Sequence, residues 1–168
     1  MQSGLTRLQV KGYRRLRDVD LTLRPLNVLI GRNGSGKSSV LEVIQLLAKT
    51  AEGKLEEGLS QAGGFSTLLS LDGRTNSIIF IININIDGQS NLYKIKLNSD
   101  IGHYHVGAES LTVDKGEVDL LKFHQQEAIR ESRLSWSSSE RFSQFRLADS
   151  KFIHHSLDVS RRAPVRLP

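Results

Sequence analysis

Residues 26–39 read L-N-V-L-I-G-R-N-G-S-G-K-S-S, and this stretch decides the fold. Within it, residues 31–38 fill every fixed position of the phosphate-binding pattern G-x-x-x-x-G-K-[ST]. Leu26, Val28, Leu29 and Ile30 form a short apolar run ahead of the loop, which predicts a buried strand. Behind it, Val40, Val43, Ile44, Leu47 and Ala51 recur at helical spacing. Strand, glycine loop and helix in that order aim a helix N-terminus at an anion.

Each residue type in the loop has a chemical reason. Gly31, Gly34 and Gly36 allow backbone angles that a side chain would forbid, so successive N–H groups can curl around phosphate oxygens. Lys37 supplies a mobile positive charge for the outer phosphates, and Ser38 offers a hydroxyl to a magnesium ion. The helix that follows adds roughly half a positive charge at its start. The loop therefore points to a nucleotide-binding protein.

Composition bounds the rest. At 168 residues, 24% charged and 38% apolar, the chain is expected to be one globular domain with a sizeable core. Its longest apolar stretch, at 78–82, is strand-sized, and the N-terminus lacks a signal-peptide core, so no membrane partner is expected. With no cysteine there is neither a disulfide nor a thiolate metal site. Together these features favour the cytoplasm. The net charge of +5 includes an N-terminal cluster of Arg7, Lys11, Arg14, Arg15 and Arg17 and a later one of Arg161, Arg162 and Arg166. Such charge suits a nucleotide, a nucleic acid or a plain solvated face equally well.

Along the chain, Thr6, Leu8 and Val10 alternate with basic or polar residues, as do Val19, Leu21 and Leu23, so two half-buried strands are expected. Residues 12–17 read as an irregular link between them, and residues 52–59 as a further helical turn. The glycine pair Gly63 and Gly64 marks a loop. Residues 78–86 carry the strongest strand signal, followed by returning strands around Tyr93, Ile95 and Leu97 and around Tyr104, Val106 and Ala108. These predict an antiparallel sheet distinct from a parallel core around the phosphate loop. Residues 117–133 read as a helix through Val118, Leu121 and Ala128, and residues 132–143 are serine-rich.

Most of the chain, and most specifically its first third, resembles the N-terminal part of ABC-type, AAA-family ATPases of the RecF, SMC and OLD kind. Members carry a motif like N-F-R-S-L, then D-x-x-L-x-L, then a strand into the phosphate loop. Here these read Gly12-Tyr13-Arg14-Arg15-Leu16, then residues 18–23, then residues 26–38, with the helix at residues 39–44 similar to the family's S-N-L-L-E-A-L. The resemblance implies an α/β P-loop NTPase fold, an ABC ATPase-like N-terminal lobe with an antiparallel β-subdomain. It divides into a P-loop core at 1–60, an antiparallel region at 75–113 and a helical or irregular tail at 117–168, all within one lobe.

The resemblance also assigns roles. Gly31, Arg32, Asn33, Gly34, Ser35, Gly36, Lys37, Ser38 and Ser39 match the Walker A segment and would hold ATP and Mg2+, with Lys37 stabilising phosphate charge and Ser38 on the metal. Arg14 matches a basic residue that lies near the nucleotide in these families; Tyr13 and Arg15 depart from the commoner Phe and Ser. A second copy or a C-terminal lobe is implied as a partner, and DNA is left open. These ATPases also need a Walker B acid and a signature motif. Asp87, followed by Gly88, reads as a hairpin turn instead of Walker B, and residues 134–138 lack the signature glycines. Both elements are expected downstream, so the chain reads as an incomplete lobe: a truncated gene, an expressed fragment or half of a split ATPase.

Other constellations carry less. His103 and His105 share a strand face but lack a further ligand, and Gln61 and Gln89 have no diagnostic flanks. Two other classes stand beside the ATPase: a non-catalytic nucleotide-binding or interaction module, favoured by the missing acid, and a kinase or GTPase, disfavoured by the absence of N-K-x-D.

Overall fold

A computed structural model describes residues 4–70, 75–86, 88–100, 103–113 and 116–119. Its frame is a six-stranded sheet of order β2-β1-β3-β4-β5-β6, with every neighbouring pair antiparallel. The strands are β1 (Gly4–Tyr13), β2 (Leu16–Thr22), β3 (Ser77–Ile86), β4 (Gln89–Asp100), β5 (His103–Val113) and β6 (Gly116–Asp119). Between β2 and β3 come three helices, α1 (Lys37–Ala51), α2 (Leu55–Gln61) and α3 (Phe65–Leu68).

Period-two patterning gives the sheet one buried face. Ile78, Phe80, Ile82 and Ile84 of β3 are buried while Ile79, Ile81 and Asn83 between them are half-buried. Leu8 and Val10 of β1 and Tyr93, Ile95 and Leu97 of β4 continue the same core. On α1, Val40, Val43, Leu46, Leu47 and Ala51 are buried, which closes that core with a helix stripe. Gly58 of α2 sits so near α1 that a Cβ there would lie 2.8 Å from a Leu46 methyl. That close approach packs the second helix on the first.

The structure corrects four sequence expectations. Residues 26–30 form no strand: Leu26, Val28 and Ile30 are 76%, 71% and 90% exposed. Asn27 and Arg24 explain the local bend. The Arg24 N–H donates to Asn27 Oδ1 (3.0 Å), and Asn27 Nδ2 donates back to the Arg24 carbonyl, a closed ring beside Pro25 that competes with extended pairing. No described strand offers this segment a ladder, and apolar content alone cannot hold a strand.

Second, the link at 12–17 shrinks to Arg14 and Arg15, because Tyr13 and Leu16 pair across the turn. Third, the opening hairpin and the later strands are one sheet, since β1 pairs with β3 from Gly4↔Asn85 to Lys11↔Ile79. Fourth, residues 116–119, where a helix was expected to begin, pair with β5 as β6. The remainder of that helix, the serine-rich stretch, the tail and Asp87 lie outside the described residues. Among the described residues, no helix is long and apolar enough to cross a membrane.

Candidate functional site

The turn between β1 and β2 meets the glycine loop, and the two enclose a cavity of about 640 Å³. Arg14 and Arg15 line it from the turn, Asn33, Gly34, Gly36 and Lys37 from the loop, Ser38 and Ser39 from the start of α1, and Thr67 from α3. This size falls within the range of small-molecule sites. Of the nine loop residues singled out by sequence, six line it; Gly31, Arg32 and Ser35 do not.

Glycine is required where the loop bends. Gly34 has φ 76° and Gly36 φ 98°, the left-handed region where a side chain is strained. A Cβ on Gly36 would also lie 2.9 Å from a Leu16 methyl of β2. Gly36 precedes α1 with no side-chain cap, so the first N–H groups of the helix keep their hydrogen-bonding capacity for something outside the protein chain. Lys37 folds over the loop. Its Nζ donates to the carbonyls of Gly31 (2.7 Å) and Arg32 (2.8 Å) and stands 3.4 Å from Ser35 Oγ. Its partners are neutral oxygens, and none of them is a carboxylate that would compete with an anion.

Arg14 is held more tightly than an ordinary surface arginine. It is the one described non-glycine residue with positive φ, at 46°. Its N–H donates to the Leu68 carbonyl (2.6 Å), and its own carbonyl accepts from Ser70 Oγ (2.8 Å), which fixes that strained backbone. The guanidinium reaches Glu42 of α1 (3.4 Å) and donates to the Ala62 carbonyl (2.8 Å), while Nε is buried without a partner. Tyr13 joins the group, its hydroxyl donating to Glu42 Oε2 at 3.3 Å. The turn is thereby tied to α1 one helical turn beyond the phosphate loop.

Burial and the neighbouring Glu42 carboxylate push the Tyr13 phenol up to about 12 from its ordinary 10.0. The folded chain thus keeps this proton at a pH where the unfolded chain releases it. The resulting stability is complete below about pH 10 and is lost as pH rises through about 12. Thermal unfolding followed upward from neutral pH should therefore fall more steeply for the parent chain than for Tyr13→Phe. Parallel curves would show that the phenol does not feel this environment.

Much of the N-terminal basic cluster is already paired: Arg7 with Asp20, Lys11 with Asp18 and Arg14 with Glu42. The bidentate Arg7 guanidinium and the Gln9 amide hold the Asp20 carboxyl down at about 2. Arg7–Asp20 and Lys11–Asp18 are cross-strand pairs between β1 and β2, and Arg14–Glu42 ties the turn to α1, so much of this positive charge is offset. The two glutamines considered from sequence lie elsewhere. Gln61 donates to Glu57 (2.9 Å) at the end of α2, and Gln89 opens β4. His105 faces Asn98 at 3.3 Å, and no group of three metal-ligating side chains occurs among the described residues.

Sequence reasoning passed over Glu42, Thr67 and the role of Tyr13. An acid at position 42, set among the apolar residues of the predicted helix, was the available signal for the first of these.

Comparison with known proteins shows the family. A family model described as AAA ATPase domain matches residues 4–155. Over 43 residues, 26% of the chain, the sequence is 51% identical to an OLD nuclease of Thermus scotoductus, of which the match covers 8%. Over 45 residues it is 54% identical to the DNA replication and repair protein RecF of an Enterobacter species, covering 13% of that protein. The chain thus spans only a small part of the curated relatives it matches. The solved structure of the recombination mediator RecF with ATP superposes with a TM-score of 0.44 at 21% identity, covering 69% of this chain and 28% of that one.

Proposed function

The chain belongs to the AAA ATPase domain family, and from that premise we propose that residues 31–39 hold the phosphates of ATP with Mg2+. The observation that carries this is the junction of glycine loop and helix: two left-handed glycines, an uncapped helix start and Lys37 folded across loop carbonyls. Phosphate oxygens accept from the N–H groups of the loop and of the first turn of α1. Lys37 exchanges its two carbonyl partners for oxygens of the outer phosphates, and Ser38, exposed at the start of α1, supplies a hydroxyl to the magnesium ion. Arg14, steadied by Glu42, stands on the opposite wall beside the bound ligand.

Transfer of the terminal phosphoryl group needs positioning and charge stabilisation, which Lys37 and the metal provide, and a water-orienting acid. No described residue of the cavity is acidic. The proposed working form is therefore a single lobe, in the cytoplasm, that meets a second phosphate-loop copy or a C-terminal lobe to complete the catalytic set. The RecF relatives are named for DNA replication and repair, which makes DNA a further candidate partner. A non-catalytic nucleotide-binding module is the second reading, favoured by the same lack of an acid.

Calorimetric titration of MgATP, with phosphate release measured on the same sample, tests both readings. Binding without turnover by the chain alone, and turnover once a partner lobe is added, is the expected result. Binding with no turnover under either condition would favour the non-catalytic module, and no binding would contradict both.

A further inference from the structure

The mouth of the cavity carries a cation that the phosphate-loop pattern does not account for. Arg15 runs along the loop: its Cβ lies 4.0 Å from where a Cβ on Gly36 would stand, and its guanidinium carbon 3.8 Å from the corresponding point on Gly34. The side chain therefore spans the two glycines whose left-handed angles shape the loop, its stem beside Gly36 and its guanidinium beside Gly34. The other cavity cations are engaged, Arg14 with Glu42 and Ala62 and Lys37 with two backbone carbonyls. Arg15 has no ion pair or hydrogen bond among the described residues, and its side chain is exposed.

We propose that Arg15 is a phosphate-binding residue of this site, whose unpaired charge selects a nucleoside triphosphate over the diphosphate. This rests on the nucleotide-binding reading above. A planar fork of N–H donors with no protein acceptor is suited to a second acceptor group beside the one that Lys37 takes. MgATP carries about one more negative charge than MgADP, so an uncompensated cation within a few ångströms favours it. The alternative role, an apolar stem covering Gly34 and Gly36, would support both ligands equally.

The test is calorimetric titration of MgATP and of MgADP into the parent chain, Arg15→Ala, Arg15→Lys and Lys37→Ala, at low and raised salt. Arg15→Ala should weaken MgATP about fivefold and MgADP less than about twofold, as suits an exposed charge-assisted contact. Arg15→Lys should recover most of the loss, and added salt should narrow the difference between the two ligands. Unchanged MgATP affinity in Arg15→Ala, with binding lost in Lys37→Ala, would overturn this role and leave the nucleotide site standing. Equal losses for both ligands would overturn the selection. Absence of binding by the parent chain would overturn the site itself and this role with it.

Discussion

Lys37→Ala should weaken MgATP binding roughly ten- to a hundredfold, the loss of a charge-assisted hydrogen bond of about 1.5–3 kcal/mol. The same substitution should leave the unliganded chain nearly as stable as before. In the structure Nζ is bonded to the carbonyls of Gly31 and Arg32, both on exposed residues that water can satisfy once the ammonium is gone. Affinity and stability thus separate: a large change by calorimetry, a small one by thermal unfolding. A variant that binds as tightly as the parent would show that the ligand does not use this lysine. One that melts much earlier would mean that the lysine is structural.

Gly12→Ala should have the largest effect on stability, a loss of about 3 kcal/mol, because two penalties coincide. Gly12 has φ 74°, and a Cβ there would lie 2.3 Å from the Ser77 carbonyl oxygen, a backbone atom of β3 that cannot step aside. Its own carbonyl also accepts the Ser70 N–H at 2.9 Å, so moving Gly12 disturbs the strand that carries Tyr13 and Arg14 to the site. Gly34→Ala isolates the first penalty, since its Cβ would meet only ordinary contacts, the nearest at 3.8 Å. It should cost about 1 kcal/mol. Denaturant midpoints of the two variants against the parent give the comparison. Equal midpoints would show that β1 and β3 are not held at this spacing.

The site was far more legible in the sequence than its surroundings. The pattern at residues 31–39 stands out because phosphate chemistry demands glycine, lysine and hydroxyl at fixed offsets, and these demands are local. The strands at 4–13, 77–86 and 89–100 were likewise visible through period-two alternation. The pairing of β1 with β3, more than sixty residues apart in the chain, was not visible, since no local pattern records which strand lies beside which. Residues 26–30 misled for a related reason. Their apolar side chains are a strand signal only when a neighbour supplies the ladder, and the Arg24–Asn27 ring turns the chain instead. The resemblance singled out Arg14 and marked Arg15 only as a departure, with no structural reason for either. Only the positive φ of Arg14 and its partner Glu42 distinguish a steadied wall from a free guanidinium.

The central claim is that the glycine loop and the start of α1 hold a nucleotide's phosphates. Amide chemical shifts of the 15N-labelled chain, followed during a titration with MgATP, test it most directly. The largest and saturable shifts should fall on Gly34, Gly36, Lys37, Ser38 and Ser39, with smaller ones at Arg14 and Arg15 and none along β4 and β5. Shifts centred on the sheet, or none in the loop at saturating nucleotide, would contradict the assignment.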